Sequence, residues 1–224
     1  MIVDAVASSD NADDFLVFPG GATAPGAGGV YRTTDGGATF KQATGVPAGF
    51  ASGDEFYWNV SLERDATDLS VRFLFLRNRG FYKSTDRGAS WTKSPAQPRN
   101  SFAIMHVDPI SGRIWTGTGF FDDGSTVGFD YSDDRGASWH ALKGVDSVTE
   151  FDVRDGRLVL LGRLAGETTD QIHFSANNGT SWREITRTGF RFANAQAVAI
   201  DPWRPGTVWI STTGRSISRF TPDP

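Results

Sequence analysis

The chain has 224 residues with 26 Gly, 17 Phe, 7 Trp and no Cys, and its net charge is −4. The mixed charges leave no basic stripe for nucleic acid, and no apolar run reaches the roughly 18 residues of a membrane-spanning helix. The lack of cysteine excludes disulfides and thiolate metal sites, and no cofactor motif is present.

Glycine for turns and aromatics for pleated surfaces point to β-structure. In chain order the strand candidates fall into units. The first holds MIVDAV, DFLVF, GGVYR and TFKQA, with a small-residue stretch, PGGATAPGAGG, before the third. The second holds YWNVSLE, VRFLFL, GFYKS and SWTKS; the third SFAIMHV, RIWTG, VGFDYS and SWHAL. The fourth holds VTEFDV, RLVLLG, QIHFS and SWREI. A fifth, AQAVAID, GTVWIST and SISRF, has three strands. No amphipathic helix of about ten residues or more interrupts them.

Between the third and fourth strands of each complete unit lies one octapeptide, four times over. It reads TTDGGATF (33–40), STDRGASW (84–91), SDDRGASW (132–139) and SANNGTSW (175–182). Position three is Asp35, Asp86, Asp134 and Asn177; position five is Gly37, Gly88, Gly136 and Gly179; position eight is Phe40, Trp91, Trp139 and Trp182. Such spacing, between about 40 and 50 residues, is that of a β-propeller, in which each blade is a four-stranded antiparallel sheet. The expected fold is all-β, with about five blade units over residues 1–224. It forms either a single propeller domain or a segment of a larger one.

The octapeptide predicts a turn rather than a catalytic site. A carboxylate in a tight turn accepts backbone N–H bonds, the glycine permits positive φ, and the aromatic points into the layer between sheets. Asn177 fits that role, because an amide accepts the same bonds without charge. Asp133, at the variable second position, is expected in solvent.

The pattern S-x-D-x-G-x-T-W resembles the Asp-box, or BNR, repeat of sialidases, sortilin-type receptors and glycoside hydrolase family 74. FYKSTDRGASW and the ending AIDPWRPGTVWISTTGRSISRF are most similar to the C-terminal propeller of that hydrolase family. The resemblance implies a seven-bladed ring, a polysaccharide ligand such as xyloglucan or another β-glucan, and an extracellular or periplasmic location. It also implies one catalytic aspartate on each of two propellers. The segment that carries the second, resembling GDxGGFxH, has no match here. The isolated chain is therefore expected to be inactive. The alternative that the resemblance offers is a protein-interaction propeller of the sortilin type.

In a propeller the octapeptide turns occupy one face, which moves attention to the opposite loops. Carboxylates there are Asp54, Glu55, Asp122 and Asp123, the only candidates for an acid pair. Ligand-binding candidates are Tyr57, Trp58, Arg99, Asn100, Phe120, Phe121, Phe190 and Arg191, since ring faces pack on sugars while polar groups take the hydroxyls. The three histidines, His106, His140 and His173, show no metal spacing and read as ordinary strand residues. An open part of a ring would expose sheet faces that pair with another copy or with a missing portion.

Overall fold

The computed structural model describes residues 2–19, 28–47, 60–77, 79–99, 104–118, 128–185, 195–204, 206–212 and 216–221. Among them there is no helix. Nineteen strands form five antiparallel sheets, each built from consecutive strands in sequence order.

The first sheet is β1 (Ile2–Ala7), β2 (Phe15–Pro19), β3 (Tyr31–Thr33) and β4 (Lys41–Gln42). The second is β5 (Val60–Arg64), β6 (Arg72–Leu76), β7 (Gly80–Ser84) and β8 (Thr92–Lys93). The third is β9 (Ile104–Val107), β10 (Ile114–Thr118), β11 (Gly128–Ser132) and β12 (His140–Leu142). The fourth is β13 (Val145–Arg154), β14 (Arg157–Leu164), β15 (Gln171–Ser175) and β16 (Arg183–Glu184). The fifth is β17 (Ala195–Ile200), β18 (Val208–Thr212) and β19 (Ser216–Phe220). We call the strands of each sheet a, b, c and d.

Successive sheets lie face to face, so a middle strand is covered on both sides. This explains why β6, RFLFL, is buried at every position instead of alternating. Its side chains still alternate in direction. Leu74 and Leu76 join Leu16, Phe18 and Val30 of the first sheet in one core layer, with Leu62, Tyr82 and Trp91. Phe73 and Phe75 point the other way and meet Met105 and Ile114 of the third sheet. Trp115 and Phe129 pack on Phe151, Leu158 and Leu160 of the fourth. Val159, Leu161, Ile172 and Phe174 pack on Val198, Ile200, Val208 and Ile210 of the fifth. The core is thus four apolar layers, each shared by two neighbouring sheets. Hereafter "forward" means toward the next sheet in sequence and "backward" toward the previous one.

Candidate functional site

The antiparallel order of each sheet puts its a–b and c–d turns at one end of the strands. The octapeptides are c–d turns, and all four have one hydrogen-bond pattern. In the second, the Ser84 hydroxyl donates to Asp86 Oδ1 at 2.7 Å and accepts the N–H groups of Asp86 and Gly88 at 3.2 and 2.8 Å. The Ser90 N–H donates to Asp86 Oδ1 at 2.9 Å. Thr33, Asp35, Gly37 and Thr39 repeat this, as do Ser132, Asp134, Gly136 and Ser138. So do Ser175, Asn177, Gly179 and Ser181, with the amide oxygen in place of the carboxylate. The Thr39 and Ser138 hydroxyls, with the other donors, hold Asp35 and Asp134 at a pKa of about 2. Acids that strong cannot deliver a proton near neutral pH.

The turn also reaches backward across the sheet interface. Residue four lies in the left-handed region, at φ 68° for Gly36, 60° for Arg87, 58° for Arg135 and 56° for Asn178. From there Arg87 pairs with Asp10 at 2.8 Å and Asp14 at 3.4 Å in the first a–b turn. Arg135 pairs with Asp65 at 2.7 Å in the second. A Cβ on Gly88 would lie 2.5 Å from Leu16, on Gly136 2.2 Å from Phe81, and on Gly179 2.6 Å from Leu142. Each glycine therefore meets a side chain of the preceding sheet.

One expectation about the octapeptides needs correcting. Trp91 is buried between sheets, and Trp139 and Trp182 pack on the two following layers. Phe40 is instead 45% exposed, with the Phe15 ring set edge-on beside it, because no described sheet precedes the first. Asp133 is exposed, as expected, and is ion-paired as well. Arg113 donates to it at 2.6 and 3.0 Å, while stacking over Tyr131 at 4.4 Å.

Of the nominated site residues, Asp54, Glu55, Tyr57, Trp58, Asn100, Phe120, Phe121, Asp122, Asp123, Phe190 and Arg191 lie outside the described residues. Arg99 is described. Its guanidinium donates to Asp130 Oδ1 at 2.7 and 2.9 Å, and its backbone N–H to Oδ2 at 2.7 Å. Asp130 is buried on β11, so Arg99 neutralises an internal acid. Its side chain remains 45% exposed and can still face a ligand.

The inner strands hold a charged cluster that sequence reasoning missed. His106 on β9 sits with Nδ1 3.1 Å from Glu63 Oε1 on β5 and Nε2 3.7 Å from Glu150 Oε1 on β13. Its ring meets Phe151 edge-on at 4.9 Å. Burial opposes its charge, but hydrogen bonds to Glu150 and Glu63 outweigh that and raise its pKa well above the ordinary value. Asp152 Oδ2 accepts the Ile200 N–H at 2.7 Å, and Asp4 Oδ2 accepts that of Leu62 at 2.6 Å. Burial raises the Asp4 pKa despite the N–H donors. Glu63, His106 and Asp152 line a cavity of about 270 Å³ with Arg64 and Arg154. The available signal was the alternation of polar residues along strands a, which places them all on forward faces. Among the described residues no group of three or more acids or histidines is placed to hold a metal ion. His173 is buried against Glu167 at 3.0 Å, and His140 lies over Tyr131.

No family profile matches the chain. A xyloglucanase of a Paenibacillus species is 26% identical over 199 residues, covering 84% of this chain and 18% of that protein. A GH74 enzyme of Niastella koreensis superposes with a TM-score of 0.72 at 18% identity, over 98% of this chain and 30% of that one. YCF48 bound to a D1 peptide superposes at 0.62 with 15% identity, over 99% of this chain and 66% of that one. The fold is a β-propeller. The five sheets are its blades, and the chain spans less than a third of the two hydrolases it resembles.

Proposed function

We propose that this chain is a carbohydrate-recognising propeller segment related to secreted polysaccharide hydrolases, with xyloglucan or another β-glucan as its ligand. The observation that carries this reading is the xyloglucanase alignment over 84% of the chain, joined to the hydrolase superposition over 98% of it. The octapeptides are then Asp-boxes that clasp blade to blade, and the whole of residues 1–224 serves as one propeller unit. The ligand face is the one bearing the b–c and d–a segments. Trp58, Tyr57, Phe120, Phe121 and Phe190 supply ring surfaces, and Arg99, Asn100 and Arg191 supply donors. Asp54, Glu55, Asp122 and Asp123 are the acids available for hydrolysis, which on this reading needs a further propeller. An extracellular or periplasmic location follows from the same likeness.

Calorimetric titration with xyloglucan oligosaccharides tests this. Trp58→Ala and Phe121→Ala should each weaken binding about tenfold, or about 1.4 kcal/mol. Isotherms that match the unmodified chain would exclude those two positions. Failure of the unmodified chain to bind any β-glucan would overturn the reading.

The YCF48 likeness favours a second reading, in which the propeller takes a peptide, as a sortilin-type receptor would. It predicts a silent glycan array and a positive peptide array.

A further inference from the structure

The segment between β8 and β9, which carries Arg99, is pinned at two points. Gln97 Oε1 accepts the Phe81 N–H of β7 at 2.6 Å, and the Arg99 N–H donates to Asp130 Oδ2 of β11 at 2.7 Å. The first point lies on the second blade and the second on the third, so the segment bridges them. The Arg99 side chain is fixed as well. Asp130, 1% exposed, accepts from Nε at 2.9 Å and from Nη2 at 2.7 Å, both on Oδ1. Gly128 leaves room for this seat, since a Cβ there would lie 2.8 Å from Nη2.

A guanidinium has five N–H donors, and Asp130 takes two of them. Nη1 and the second N–H of Nη2 have no partner among the described residues, and the side chain is 45% exposed. What remains is the Nη1–Nη2 edge, a planar fork that matches two neighbouring oxygen acceptors. Gly128 opens β11, so the pair stands at the end of the sheet where strand b gives way to strand c, away from the octapeptide turn. The carbohydrate reading places its ligand at that end.

Charge then selects the ligand. Asp130 cancels the guanidinium charge at contact distance, so an incoming carboxylate meets a pair with no net charge. Two uncharged hydroxyls meet the same donors without giving up the hydration of an anion. The fixed seat also spares the side-chain entropy that a free arginine loses on binding.

We infer that Asp130 is a positioning residue, which presents the free edge of Arg99 to two neighbouring hydroxyls of a neutral sugar and disfavours acidic sugars. The inference rests on the carbohydrate reading and deepens it, by setting the charge of the ligand and naming the residue that enforces it.

Calorimetric titrations with a neutral xyloglucan oligosaccharide and with an oligogalacturonide of similar length test it. Circular dichroism and urea unfolding check the fold of each variant. The unmodified chain should bind the neutral sugar more tightly. Arg99→Lys keeps the charge but loses the fork, and should weaken neutral binding about tenfold. Asp130→Asn keeps Arg99 but frees its charge and loosens its seat. Neutral binding should then weaken about threefold while acidic binding strengthens. A role confined to stability would move both ligands together. Arg99→Met with Asp130→Leu replaces the pair by apolar side chains, an exchange that often preserves stability. It should weaken neutral binding about tenfold, with no gain for the acid. Unchanged neutral binding in Arg99→Lys and in the double variant would overturn the inference and leave the carbohydrate reading standing. So would equal losses of both ligands in Asp130→Asn, or a preference of the unmodified chain for the acidic sugar. A chain that binds neither sugar would overturn both.

Discussion

The glycine at position five of the octapeptide makes the most demanding quantitative test. Gly136 has φ 80°, and a Cβ there would lie 2.2 Å from Phe81 Cε1. Ordinary carbon contacts lie at about 3.5–4.0 Å. Phe81 cannot yield easily. It is fully buried, stacked on Phe73 at 5.7 Å and met edge-on by Trp139 at 5.2 Å. Gly136→Ala therefore adds two costs. The left-handed backbone costs about 1–2 kcal/mol for any residue with a Cβ, and overpacking adds about 1–3 kcal/mol. Gly144 is the control, since its φ is 83° and nothing lies within 4 Å of its Cβ position. Gly144→Ala should cost only the backbone portion. Equilibrium urea unfolding of both variants should then separate them by about 1–3 kcal/mol, with Gly136→Ala the less stable. Equal losses would refute the claim that this glycine is required by the neighbouring blade rather than by its own turn.

Two further outcomes follow from the charged groups. The raised His106 pKa makes its contribution fully present below the ordinary value of 6.5 and lost as pH rises through the folded value. Thermal melts above pH 6.5 should show that decline in the native chain, and His106→Gln should remove it. Arg99→Ala strands Asp130, which is 1% exposed, without its counter-charge. The loss should sit near the lower end of about 3–5 kcal/mol, because Arg99 itself is half in solvent. Asp130→Asn in the same chain should restore most of it, measured by urea unfolding.

What could be read from the sequence was whatever repeats at short range. The octapeptide places its own bonding groups within seven residues, so four copies in register announce the turn and the blades around it. The three-stranded fifth unit was equally plain, because each of its strands is a short apolar run. The contacts between blades have no such local signature. Arg87 meets Asp14 across 73 residues, and His106 meets Glu63 across 43. Nothing in STDRGASW says that its arginine will leave its own turn. The exposure of Phe40 was hidden for a related reason: its sequence context matches that of Trp91, and only the absence of a described blade behind it differs. For the ligand face, aromatic and acidic residues could be nominated by composition, but among the nominees only Arg99 lies within the described residues.

The backward reach of each octapeptide has a consequence for how the molecule comes apart. Every strong tie joins a blade to its immediate neighbour, so the stability of the whole behaves as a row of linked terms, one for each blade and one for each junction. Blades one and five each have a single junction, and blade three has two on either side of it before an end is reached. Amide hydrogen exchange should therefore be fastest in β1–β4 and β17–β19 and slowest in β9–β12. Fraying would run inward from both ends. Loosening the clasp at Gly88, which seats against Leu16, would release blade one while the others stay folded.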